Sequence, residues 1–310
     1  MRRSKTIVGA AAFFLSALSL CPSAPAAEKI KIAATTSTLE SIAKEITGEA
    51  AVIHRIASPK RDIHFISPTP KDVLKVKKAD VFIHLGLDAE PWRQPLLEAA
   101  GNASFISGER AIDVSKGITL LEVPRDVSRK EGDIHLYGNT HYWTDPENAK
   151  IMAQNIAEGL GLLYPEYAAD FSARAFEFTS RLDQKTAEWK SLLAPYEGVS
   201  IITYHNSWPY FAKRYGLLIA GNIEPKPGIP PGSRHTAELM RLMKEKNIPV
   251  IVEESYYEDK TARKIAQETG AAVVAFAQSV GAVEESPDYI AMMDYNVKAL
   301  ESALKGKPRA

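Results

Sequence analysis

The stretch EYAADFSARAFEFTSRLDQKTAEWKSLLA, residues 166–194, contains neither glycine nor proline, and its apolar positions step by three and four. Tyr167, Phe171, Ala175, Phe178, Leu182, Thr186, Trp189 and Leu193 therefore share one face of a helix. At 1.5 Å per residue this helix extends roughly 40 Å, the height of a small lobe. It predicts a stiff rod that divides the chain into two halves.

On either side of the rod, short β-branched runs alternate with helix-period segments, as βα units around a mostly parallel sheet require. Strands are expected at 30–35, 52–56, 81–85 and 104–106 in the first half, and at 199–204, 217–220, 250–253 and 272–276 in the second. Helix starts are marked by Ser37 with Glu40, by Thr69-Pro70 with Asp72, and by Asp145-Pro146. Further helices are expected near 207–215, 234–246 and 261–269, and a last one from Ser286-Pro287 to about Leu304. The fold class expected is α/β: two Rossmann-like lobes with parallel-rich sheets, residues 28–165 and 195–310, joined by one long rigid helix over 166–194.

The N-terminus bears on compartment. MRRSK is a short basic start, and the apolar run 6–20 is too short to span a bilayer comfortably. Ala24-Pro25-Ala26-Ala27 then offers a small-residue cleavage site, so residues 1–27 read as a removed signal peptide and the mature chain as periplasmic. Cys21 follows Leu20, whereas a lipoprotein peptidase wants a small residue there, so lipid anchoring is not expected. Cys21 is the only cysteine of the 310 residues, and the mature chain therefore has no disulfide and no thiolate metal site. Any metal is left to imidazole and oxygen. The 38 basic side chains balance the 38 acidic ones, which gives no electrostatic case for nucleic acid. No G-x-G-x-x-G or P-loop argues for a nucleotide.

Three of the seven histidines share a local pattern. His64 lies shortly before Thr69-Pro70, His141 shortly before Asp145-Pro146, and His205 between the strand ending at Tyr204 and Ser207. Loops at the C-terminal ends of strands are where open α/β sheets bind ligands, and neutral imidazole suits zinc. No pair has the close spacing of H-E-x-x-H. Spacing alone leaves two readings open: a metal site in the cleft between the lobes, or loop histidines bonding backbone groups. His54, His84 and His235 read as packing or capping residues, Trp92, Trp143 and Trp208 as cleft packing, and Asp72 and Asp145 as helix-cap carboxylates. His135 is either a collecting ligand or a plain loop residue.

Several collinear segments carry a resemblance: DIHFISPTPKDV (62–73) with KKADVFIHLGLDAEPW (77–92), NTHYWTDPENAK (139–150), TYHNSWPYFAKRYGL (203–217), IEPKPGIPPGSRHTAEL (223–239) and VIVEESYYEDKTARKIAQETGA (250–271). Together they resemble the zinc and manganese solute-binding proteins of ABC transporters, the ZnuA/TroA-like family, over nearly the whole mature chain. The resemblance implies His64, His141 and His205 as the first three metal ligands. Many members have an aspartate where AFAQSVG places Gln278 here. Glu253, matching a recurrent glutamate, is then the candidate fourth ligand or supporting partner, with water as the competitor. The implied cargo is a divalent metal ion. Zinc (Zn2+) is favoured over manganese (Mn2+), because His205 stands where manganese-selective relatives tend to carry a carboxylate. The implied partner is an ABC transporter membrane permease; a monomer without enzymatic activity is expected. The rivals are a secreted zinc-dependent hydrolase, since three histidines and a glutamate also describe a catalytic metal, and a manganese-binding or adhesin-type relative.

Overall fold

Each half of the chain is organised by one four-stranded parallel sheet. In the first, β1 (Ile30–Ala34), β2 (Ala51–Arg55), β3 (Val81–His84) and β4 (Ala111–Asp113) lie in the order β2-β1-β3-β4. In the second, β5 (Ser200–Thr203), β6 (Leu218–Asn222), β7 (Val250–Glu254) and β8 (Ala272–Phe276) repeat that order as β6-β5-β7-β8. β3 and β7 are buried along their whole length, as strands covered on both faces are. The computed structural model describes residues 28–124, 136–226, 228–257 and 260–306. The leader with Cys21, and His135, lie outside the described residues.

The rod is α6 (Ala168–Leu193), entered and left through single 3-10 turns at Pro165–Tyr167 and Ala194–Tyr196. It buries Phe171, Ala175, Phe178, Leu182, Thr186, Trp189 and Leu193, the face expected from its periodicity, while Tyr167 falls in the preceding turn. That face packs on α5 (Pro146–Leu163), α1 (Ser37–Thr47) and α10 (Tyr289–Leu304), and so belongs to a single core shared by both halves. Ile32 and Ile83 reach this core from the first sheet, Val250 and Val252 from the second. Each fully buried Leu or Phe there contributes about 2 kcal/mol of apolar burial. A smaller cluster around Phe82, Trp92 and Phe105 backs the first sheet, and another around Ile202, Ile251 and Leu239 backs the second.

Local chemistry places most helix starts. Thr69 and Asp72 form the expected reciprocal capping box on α2 (Pro70–Lys77), and Asp145 caps α5 by accepting from the Glu147 amide at 2.9 Å. Two starts differ by a residue or two. Thr36, not Ser37, caps α1, and Asp288, not Ser286, caps α10, because each hydroxyl or carboxylate reaches the amide three residues on. The strand expected at 104–106 is instead the short helix α4 (Ala103–Ile106), and β4 comes later, pairing Ala111 with Phe82. Gly101 and Gly108, both at positive φ, bracket a single turn that buries Phe105, and the three-residue run Ser104-Phe105-Ile106 is too short to distinguish the two periods.

Hydrogen bonds lock the halves beside the strand ends. Arg214 of α7 (Pro209–Tyr215) holds both oxygens of Asp145, with Nε to Oδ1 at 2.7 Å and Nη2 to Oδ2 at 2.8 Å. Trp143 Nε1 donates to the Gln278 carbonyl at 2.8 Å, and Tyr289 Oη donates to the Trp143 carbonyl at 2.7 Å. Among the described residues no helix is long and apolar enough to cross a membrane.

Candidate metal centre

The three loop histidines come from three different loops. His64 sits in the 3-10 turn Ile63–Phe65 after β2, where Asp62 caps the turn by accepting from the His64 amide at 2.9 Å. Trp92 Nε1 donates to the Ile63 carbonyl at 2.6 Å and pins that turn from the loop after β3. His141 precedes the 3-10 turn Tyr142–Thr144 that leads into α5, and Tyr142 Oη donates to the Leu85 carbonyl at the end of β3. His205 follows β5 after one residue, Tyr204. Asn139 Nδ2 donates to the Asn206 carbonyl at 2.8 Å, and Tyr210 Oη to the Asn139 carbonyl at 2.6 Å, so the His141 and His205 loops are tied across the halves.

Each ring is oriented through Nδ1. His64 Nδ1 lies 2.9 Å from the Ala89 carbonyl, His141 Nδ1 3.1 Å from Asn139 Oδ1, and His205 Nδ1 2.7 Å from Glu224 Oε2. All three partners are acceptors, so each Nδ1 carries the hydrogen and the Nε2 lone pair is left for a cation. Outer hydrogen bonds of this kind fix the tautomer and ring angle of metal-binding histidines. The consequence is visible between His64 and His141, whose Nε2 atoms face one another at 3.1 Å. Two nitrogens bound to one tetrahedral zinc at 2.0–2.1 Å stand about 3.3 Å apart. One ligand atom from each of His64, His141 and His205 falls within 4.8 Å of the other two, and His141 and His205 are buried.

Acidic groups surround this cluster. Burial depresses the pKa of His205, but the hydrogen bond it donates to Glu224 and the charges of Glu254 and Asp62 outweigh it and hold the imidazole above its ordinary value. Glu254, fully buried at the end of β7, is pushed up to about 7 by desolvation, against the opposing pull of His205.

The remaining candidates are placed as follows. Glu253 lies buried in β7, and the metal-competent group among the described residues consists of the three histidines. Gln278 is buried and engaged at both ends: Oε1 accepts from Tyr256 Oη at 2.7 Å, and Nε2 donates to Ser207 Oγ at 2.7 Å. His84 is buried beside Arg93, and desolvation with that guanidinium lowers it to about 4. His235 Nε2 bonds the Asn222 carbonyl at 2.9 Å, and His54 is exposed on β2. The indole N–H groups of Trp92, Trp143 and Trp208 all go to protein acceptors, which fits packing. Sequence reasoning passed over Glu224, Asn139 and Ala89. All three stand inside segments quoted above, but what each does follows only from strand register and loop closure.

Residues 32–303 match the family described as "Zinc-uptake complex component A periplasmic". The chain belongs to this family. As a member, it is a metal-binding solute-binding protein of the ABC-transporter type. The iron-binding protein YfeA of Yersinia pestis is 30% identical over 283 residues, covering 88% of this chain and 86% of that protein. The manganese ABC transporter substrate-binding lipoprotein PsaA of Streptococcus mitis is 28% identical, covering 91% of each. The crystal structure of a ZnuA variant lacking residues 138–173, with zinc bound, superposes on this family member with a TM-score of 0.77 at 25% identity, over 91% of this chain and all of that one.

Proposed function

We propose that this protein captures zinc outside the cytoplasm through Nε2 of His64, His141 and His205 and hands it to a membrane permease. The observation that carries the reading is the convergence of three imidazoles whose Nδ1 atoms are each committed to an acceptor, with His64 and His141 Nε2 3.1 Å apart. With both Nδ1 hydrogens committed, two lone pairs at that distance repel unless a proton or a metal ion lies between them, and a metal ion can take the third nitrogen as well. A donor set of three nitrogens favours zinc over manganese, which prefers oxygen. The fourth position is filled by water or by a carboxylate at the end of β7, where Glu253 is the candidate from sequence.

In this reading residues 1–27 are the export signal, 28–165 and 195–310 the two lobes, and 166–194 the connecting rod. Opening is small, because α6 and the bonds joining Asp145 to Arg214 and Trp143 to Gln278 cross between the halves beside the site. The protein acts as a carrier and not as a hydrolase. Elemental analysis of protein purified without added metal, alongside His64→Ala, His141→Ala and His205→Ala, tests this. Wild type should carry about one zinc per chain and each variant much less. Equal zinc in all four would refute it.

A further inference from the structure

β7 ends in two adjacent carboxylates, Glu253 and Glu254, which strand alternation sends to opposite faces. Glu254 shares its face with Val250 and Val252, which lie in the core common to both halves, and it is 0% exposed. Its Oε1 accepts from Trp208 Nε1 at 3.0 Å. Its Oε2, also buried, has no hydrogen-bond partner. The Ser207 hydroxyl, whose oxygen accepts from Gln278 Nε2, is the one neighbouring group left to donate to this carboxylate, and it brings no charge. Such a group is costly to keep unless a cation compensates it.

The neighbourhood supplies the place for that cation. Three neutral imidazoles bring no charge, whereas a divalent ion taken into a buried site requires one nearby. Gln278 is neutral and tied to Tyr256 and Ser207. Glu224, which accepts from His205 Nδ1, and Asp62, which accepts from the His64 amide, also place negative charge near His205, but each acts on it through space less strongly than Glu254. Glu254 is the strongest through-space charge on the His205 ring, and its oxygens lie outside the group of mutually close donor atoms.

We propose that Glu254 is the counter-charge of the metal site, a carboxylate that does not ligate but stabilises a divalent ion at His205 through the low-dielectric interior. This role rests on the three-histidine reading above. Glu254→Gln keeps the volume and the acceptor for Trp208 while removing the charge. Zn2+ and Ag+ affinities are measured by competition titration at about pH 8, for wild type, Glu254→Gln, Glu254→Asp and His205→Ala, with Tm of the metal-free proteins.

Glu254→Gln should bind Zn2+ about ten- to hundredfold more weakly. Its loss for Ag+ should be about half as large on a logarithmic scale, since Coulomb energy scales with ionic charge. Metal-free Tm should equal or exceed wild type, and Glu254→Asp should stay close to wild type in zinc affinity. Equal losses for both ions with a lowered Tm would mean a packing role and overturn the proposal, as would weakening by Asp as severe as by Gln. If His205→Ala loses zinc while Glu254→Gln binds like wild type, only the counter-charge role fails. If His205→Ala keeps zinc, the site itself is wrong.

Discussion

Replacing Glu224 by alanine should weaken zinc binding without touching a proposed ligand. Glu224 Oε2 lies 2.7 Å from His205 Nδ1, with side chains only 3% exposed for the histidine and 11% for the glutamate. Removing that acceptor frees the ring to rotate or to move its hydrogen to Nε2, the atom the metal needs, and also removes a nearby negative charge. Outer partners of this kind are worth about ten- to hundredfold in affinity, or about 1.4–2.7 kcal/mol. Glu224→Gln, which keeps an acceptor but no charge, should fall nearer the lower end.

The assay is competition against a chromophoric zinc chelator, and the same variants give a second, independent reading from metal-free stability. His205 has its pKa raised on folding: burial opposes this, but the hydrogen bond to Glu224 and the charges of Glu254 and Asp62 prevail. A raised histidine stabilises the fold fully below its unfolded value near 6.5 and loses that contribution as pH climbs through the folded value. Glu224→Ala should therefore lower the metal-free Tm more at about pH 5.5 than at about pH 9. Zinc affinity unchanged from wild type, or a Tm loss larger at the higher pH, would refute the positioning role.

Two further outcomes follow from the same geometry. Zinc affinity should fall steeply below about pH 6, because protons compete for the three Nε2 atoms, and isothermal titration at several pH values reads this as proton release on binding; undiminished affinity at about pH 5 would exclude histidine ligation. Leu182→Ala, in the buried face of α6, should cost about 2–5 kcal/mol in chemical denaturation while leaving the zinc affinity of the folded protein essentially unchanged, since the cavity lies in the core away from the strand ends.

What the sequence revealed depended on how local the signal was. α6 was legible residue by residue because seven buried positions keep one helical period without interruption, and the capping box at Thr69 and Asp72 fixed the start of α2. β4 was misplaced because the short run 104–106, with two apolar residues, carries no readable period, while β4 itself has only three residues. The hydrogen-bond partner of His205 was hidden by register. β5 and β6 pair Ile201 with Ile219 but Ile202 with Gly221, and only after that shift does residue 205 come opposite 224. Without the irregularity, apolar Ile223 would stand there. The convergence of His64, His141 and His205 has no local signature, since it arises from two sheets placed by one shared core. Resemblance to a known family pointed to the three residues, and the structure supplies the acceptors that aim them.

The central claim is tested most directly by crystals of the zinc-loaded protein, with anomalous diffraction recorded on both sides of the zinc absorption edge. One strong zinc peak is predicted at about 2.0–2.1 Å from Nε2 of His64, His141 and His205 together. A zinc peak elsewhere, or one contacting fewer than three of these imidazoles, would contradict the account.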